Sequence, residues 1–139
     1  MTVYLLDTNI VSEQTKPRPN QNVLAWLKVH GAEGCYLSTV TIAEIARGVE
    51  KAHRIRPAKG QSLAAWLAGI ETEFKDRILA FDQRAAHEWG RLMAEHQAAP
   101  FDTMIAAQAR ARNFTVVTQN AKDFIKRKVP VIDPSKPAV

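Results

Sequence analysis

Four carboxylates and an amide stand just after strand-like runs or in the first turns of helices: Asp7, Glu44, Asp102, Asn120 and Asp123. Oxygen donors of this kind can hold a hard divalent cation or move protons in hydrolysis. Asp7 follows Val3-Tyr4-Leu5-Leu6, which reads as a short buried strand, and Thr8 and Asn9 follow Asp7 at once. A buried strand with a carboxylate at its carboxyl end is how open α/β sheets present chemistry. Each residue also has an ordinary explanation. Asp7 could cap a short helix over Asn9 to Gln14, Asp102 could be a plain N-cap, and Asp123 could cap the helix containing Phe124. Thr41-Ile42-Ala43-Glu44 matches a capping box, which would give Glu44 a purely local role. Asp82, ahead of a helix beginning at Gln83, is read as a cap alone.

The elements that must position these groups are legible in outline. Strand-like runs fall at Val3–Leu6, Cys35–Leu37, Ile78–Phe81, Thr115–Thr118 and Val129–Ile132, with helical patterns between them. That alternation predicts an α/β fold, a central parallel sheet covered by helices on both faces. Pro17 and Pro19 mark a loop, and Pro100 is expected to stop the preceding helix. The basic segment His53–Gly60 reads as a loop, with the next helix from about Ser62 carrying the stripe Leu63, Trp66, Leu67 and Ile70, either core or an interface. In a parallel sheet with right-handed crossovers, all strands end at one edge. Asp7, Glu44, Asp102, Asn120 and Asp123 then approach one crevice, which separate capping roles do not explain. Acids crowded in one crevice repel, and a divalent cation resolves the repulsion. Mg²⁺ or Mn²⁺ suits oxygen ligands with water in the open positions, a combination that points to phosphodiester chemistry.

Four blocks carry a resemblance: Leu5-Leu6-Asp7-Thr8-Asn9, Thr41-Ile42-Ala43-Glu44, Asp102-Thr103-Met104-Ile105-Ala106-Ala107, and Val117-Thr118-Gln119-Asn120-Ala121-Lys122-Asp123-Phe124. In this order the chain resembles PIN-domain proteins. More narrowly it is similar to the VapC/FitB branch, toxins of bacterial type II toxin–antitoxin pairs. The resemblance implies an α/β/α sandwich with a central parallel sheet of four to five strands. It implies an endoribonuclease dependent on Mg²⁺ or Mn²⁺, acting as a homodimer. It also implies a VapB-like antitoxin that covers the site and alone contacts operator DNA. Asp7, Glu44 and Asp102 are then the metal ligands. Either Asn120 or Asp123 fills the fourth position, and Thr8, Asn9 and Thr118 orient the carboxylates. Catalysis would rest on Asp7, Glu44, Asp102 and Asp123, with Asp102 or Asp123 taking the proton of the attacking water.

The bulk properties agree with this reading. The chain has 139 residues, 46% of them hydrophobic, a size and composition suited to one domain over residues 1–139 with a frayed tail at 133–139. No apolar run approaches the roughly 20 residues of a membrane span, and the N-terminus lacks a secretory pattern, so a cytoplasmic protein is expected. A net charge of +5 suits a polyanion such as RNA, with Arg110, Arg112 and Lys126–Lys128 as candidate phosphate contacts. Cys35 is the only cysteine, expected in the core, and His87 and His96 lack partners at metal-ligand spacing. Three other readings compete. A catalytically weak PIN-like module could bind RNA or protein, a reading to which Asn120 lends some weight. A phosphotransferase using Asp7 as nucleophile would want a second Asp where Asn9 stands. A purely structural domain leaves the shared acidic edge unexplained.

Overall fold

A computed structural model of the chain describes residues 2–137. Five strands form one all-parallel sheet: β1 (Tyr4–Leu6), β2 (Cys35–Ser38), β3 (Ile78–Leu79), β4 (Thr115–Val117) and β5 (Val131–Ile132), in the order β3-β2-β1-β4-β5. Tyr4 pairs with both Cys35 and Thr115, and Leu6 with both Leu37 and Val117, so β1 is hydrogen-bonded on both sides. The chain builds outward from β1 through β2 to β3, then returns to β1's other side for β4. The switch point, where ligands sit in open α/β sheets, is therefore the carboxyl end of β1 and β4.

The helices are α1 (Thr8–Val11), continued by a 3-10 turn over Ser12–Thr15, then α2 (Gln21–His30), α3 (Thr39–Ile55), α4 (Pro57–Glu73), α5 (Gln83–Glu95), α6 (Pro100–Arg112) and α7 (Ala121–Ile125). Alternate strand residues point to opposite faces. Leu6, Leu37 and Val117 pack with Ile10, Val23, Ile45 and Leu67 on one face, under α1 to α4. Leu5 and Val116 pack with Leu92, Ile105 and Phe124 on the other, under α5 to α7. The result is the α/β/α sandwich. Ala106, Ala107 and Ala109 are fully buried, and their small side chains let α6 lie close on the sheet. Cys35 is buried in the core as expected, its thiol pushed up to about 11 by desolvation, which leaves it inert as a nucleophile. No helix among the described residues is long and apolar enough to cross a membrane.

Several boundaries differ from the sequence expectation. The basic segment from His53 to Gly60 is helix interrupted only at Arg56, not a loop, and α4 starts at Pro57 rather than near Ser62. Pro57 occupies the first turn, where its missing N–H costs nothing, and Pro100 likewise starts α6 instead of stopping α5. Gly60 permits the tight α3–α4 crossing, because a Cβ there would lie 2.7 Å from the Cα of His53. Gly60→Ala is expected to cost about 1–3 kcal/mol by overpacking, read as a lower urea midpoint. The stripe of α4 is largely core, with Leu67 and Ile70 buried and Leu63 and Trp66 packed against them. β3 covers only half of its expected span, because the Phe81 amide donates to Thr39 Oγ1 (3.2 Å) instead of to a strand. The segment after Ile132 is held rather than frayed through Ser135. Pro134 is buried, Asn22 Nδ2 donates to the Ser135 carbonyl (3.1 Å), and residues 138–139 lie outside the described ones.

Candidate active site

Asp7 is the first residue beyond β1, with its amide still bonded to the Val117 carbonyl at 2.9 Å. This ladder bond fixes the carboxylate at the switch point, where it is 3% exposed. Oδ1 accepts from the Thr8 amide (2.8 Å) and Oδ2 from the Thr118 hydroxyl (2.8 Å). Asp7 therefore caps α1, as its ordinary explanation required, but a capping acid has no need of this burial. Desolvation pushes its carboxyl up to about 6, the Thr118 hydroxyl pulls the other way, and the charges of Asp102 and Glu44 add to the rise.

The other capping explanations do not hold. Ser38, not Thr41, caps α3, its hydroxyl accepting from the Val40 amide at 2.9 Å. Glu44 thus lies in the second turn, too far along to close a capping box. Its Oε1 instead accepts from the Thr8 hydroxyl at 2.8 Å, which also lies 3.2 Å from Thr41 Oγ1. Asp102 is the third residue of α6, whose cap residue is Ala99, and no side chain caps that helix. Burial raises the Asp102 carboxyl, Glu44 and Asp123 raise it further, and Arg127 opposes them. α7 likewise has no side-chain cap, which removes the local role for Asp123. Only Asp82 behaves as a simple cap, accepting from the Ala85 amide at 2.9 Å.

The electrostatics thus gather Asp7, Glu44, Asp102 and Asp123 into one field. Asn120 is exposed beside them, its backbone N–H held by Thr118 Oγ1 at 2.9 Å. Thr118 is fully used: its proton goes to Asp7, and its lone pairs face Asn120 and Asn9 Nδ2 (3.4 Å). Asn9 Oδ1 accepts from the Gln119 amide at 3.2 Å, tying α1 to the β4 exit. Among the described residues no three acidic, histidine or cysteine side chains are gathered tightly enough to hold an ion as they stand. By donor chemistry the set fits a hard divalent cation, since every ligand atom offered is oxygen.

Two buried polar groups that support the site carry no mark in the sequence pattern. Glu13 is 3% exposed, and its oxygens accept from Gln119 Nε2 (2.9 Å) and the Asn20 amide (2.8 Å). The Gln119 bond, then that from Asn20, holds its carboxyl below the ordinary value. Its stabilising contribution is thus present above the unfolded-state value of 4.5 and is lost as pH falls through the lower folded-state value. Glu13→Ala strands both donors and is expected to cost about 1–3 kcal/mol at pH 7, and less at pH 3, in thermal melts. Gln108 is also buried, its Nε2 donating to the Leu79 carbonyl (3.1 Å) and its Oε1 accepting from Ser38. No local signal marks either residue, because Gln119, Leu79 and Ser38, which set their burial, lie 106, 29 and 70 residues away.

Of the candidate phosphate contacts, Lys126 and Lys128 are exposed, and the three arginines are engaged within the protein. Arg112 is ten residues along α6 from Asp102, about 15 Å at helical rise. Arg110 is bonded to Glu88 and to the Lys128 carbonyl, and Arg112 to Asp82. Arg127 is buried rather than part of an exposed basic turn.

The sequence profile of the PIN domain family matches residues 4–129. The chain belongs to the PIN domain family. Toxin FitB of Neisseria gonorrhoeae is 33% identical over 95% of this chain and 98% of its own. VapC ribonuclease Y4jK of Sinorhizobium fredii is 34% identical over 98% and 100%. A solved structure of FitAB bound to an IR36 DNA fragment superposes with a TM-score of 0.88 at 34% identity, covering 99% of each chain. The four blocks read from the sequence all lie within the matched PIN domain, and the expected sandwich is the fold observed.

Proposed function

We propose that this PIN domain is an endoribonuclease dependent on Mg²⁺ or Mn²⁺, the toxin of a type II toxin–antitoxin pair. The observation that carries the reading is the buried Asp7 carboxylate at the switch point, with Asp102 and Glu44 both opposing its ionisation. The likeness to proteins named ribonuclease and toxin supports the reaction class. A cation held by Asp7, Glu44 and Asp102 would polarise a phosphoryl oxygen and lower the pKa of a bound water.

The chain's own groups do the rest. Thr118 and the Thr8 amide fix both oxygens of Asp7, and the Thr8 hydroxyl fixes Glu44, so these carboxylates keep one orientation. Asp102 and Asp123 have no side-chain cap duty, which leaves one of them to take the proton as water attacks phosphorus; the P–O bond opposite breaks, and its oxygen keeps the electron pair and takes a proton from solvent. Asp123 fills the fourth position, supported by its charge acting on Asp102, and Asn120 orients water or substrate. The protein acts in the cytoplasm as a homodimer on RNA. A VapB-like antitoxin covers the acidic crevice and carries the contact with operator DNA, in keeping with the DNA-bound FitAB relative. The binding-module reading is weakened because all four acids are present and electrostatically coupled. The test is incubation of antitoxin-free protein with total cellular RNA beside the Glu44→Gln and Asp102→Asn variants. Discrete fragments from the parent and none from the variants are expected. Equal cleavage by all three contradicts the assignment.

A further inference from the structure

Arg127 is 4% exposed, yet no carboxylate among the described residues forms a salt bridge with it. A buried cation without a partner is costly, so its setting calls for a reason. Its guanidinium donates to three neutral oxygens: Nε to Thr103 Oγ1 (2.8 Å), Nη1 to the Asp123 carbonyl (2.6 Å) and Nη2 to the Ala98 carbonyl (2.8 Å). Two of these acceptors belong to Asp123 itself and to the neighbour of Asp102. The third lies in the turn that launches α6. That turn places Ala99 at φ 50°, a left-handed conformation unfavourable for a residue with a Cβ. Thr103 grips the same turn, its amide and hydroxyl each 2.9 Å from the Ala99 carbonyl.

Neither α6 nor α7 has a side-chain cap, so the starts of both helices that carry Asp102 and Asp123 lack the usual local anchor. We propose that Arg127 is the positioning residue of the site: one buried guanidinium locks the strained Ala98–Ala99 turn, Thr103 and the Asp123 backbone together, and so sets the spacing of Asp102 and Asp123. It also places a fixed positive charge beside Asp102, which partly balances the acidic crevice. Arg127 touches no reacting atom in this account.

The inference rests on the metal-dependent nuclease reading and is tested on the full chain free of antitoxin. Arg127→Met, Arg127→Lys and Thr103→Val are compared for Mn²⁺ affinity by calorimetry without RNA, for kcat and KM on RNA, and for far-UV dichroism. Arg127→Met is expected to weaken Mn²⁺ binding and lower kcat by about 10–100-fold, the usual effect of losing support behind metal ligands, with KM within about threefold. Arg127→Lys keeps the charge but cannot span three acceptors, and recovers only part of both. Thr103→Val keeps the charge, removes the Arg127 bridge and the hydroxyl's hold on the Ala99 carbonyl, and lowers kcat by a smaller factor. It serves as the deciding variant if Arg127→Met does not fold. Folded variants with Mn²⁺ affinity and kcat within twofold of the parent overturn the proposal. A parent that binds Mn²⁺ but cuts no RNA overturns the nuclease reading alone, since Mn²⁺ affinity still reports on positioning. A parent that does neither overturns both.

Discussion

Asp7→Asn is expected to abolish RNA cleavage and, in metal-free protein at neutral pH, to raise the melting temperature. The two effects share one cause. Asp7 is buried at 3% exposure, and its carboxyl, ordinarily titrating at 3.8, is pushed up to about 6. A carboxyl whose folded-state value is raised disfavours the folded state in its charged form. The penalty grows as pH rises from 3.8 and is complete above about 6. It amounts to something on the order of 3 kcal/mol. Asparagine keeps an oxygen for the Thr8 amide but carries no charge, so the charge penalty goes, while its NH₂ meets a Thr118 hydroxyl with no free lone pair, a loss of about 1–2 kcal/mol. A net gain of about 1–2 kcal/mol, roughly 3–7 °C, is expected at pH 7.5, turning to a small loss at pH 4, where the charge penalty is nearly gone and the lost Thr118 bond remains. Cleavage should drop by at least about 10²–10⁴-fold, the range for removing a charged catalytic group. Melting curves and RNA cleavage on the same two preparations check both. A variant that is destabilised at pH 7.5, or that cuts at the parent rate, contradicts the account.

Mg²⁺ should stabilise the parent strongly at pH 7.5 and weakly at pH 5. At the lower pH Asp7 is mostly protonated, and a proton and a cation compete for its oxygens. A cation present at 100 times its dissociation constant adds about 2.7 kcal/mol, on the order of 10 °C for a domain of this size. At pH 5 the shift should be less than about half of that, since binding must first displace the proton. Asp7→Asn should show almost none at either pH. The measurement is a set of melts at both pH values, with and without millimolar Mg²⁺. An equal shift at both pH values, or no shift at pH 7.5, contradicts a cation site built on Asp7.

The sheet was readable because parallel strands are buried on both faces and so appear as unbroken apolar runs. Leu5-Leu6 and Val116-Val117 each send one residue to each core. The acidic edge was readable from topology alone, since strand order and crossover hand bring the strand ends together. Helix starts differ from the sequence expectation at Pro57, expected within a loop, and at Pro100, expected to stop a helix, because the fixed φ of proline suits a first turn. The capping box at Thr41–Glu44 was a pattern match that the real cap, Ser38, displaced. Burial of charge was not readable at all. Nothing local separates Arg127 from Lys126 and Lys128, because its partners Thr103 and Ala98 lie 24 and 29 residues away. Glu13, whose partner Gln119 is 106 residues distant, is hidden for the same reason.

The most direct test of the acidic crevice as a metal-dependent nuclease centre is a chelation and add-back experiment on RNA. Antitoxin-free protein is treated with EDTA, incubated with total cellular RNA, and then given excess Mg²⁺ or Mn²⁺, with Asp7→Asn carried in parallel. Intact RNA is expected under EDTA, discrete fragments once the cation returns, and none from Asp7→Asn throughout. Fragments that persist under EDTA, or that Asp7→Asn produces equally, would contradict it.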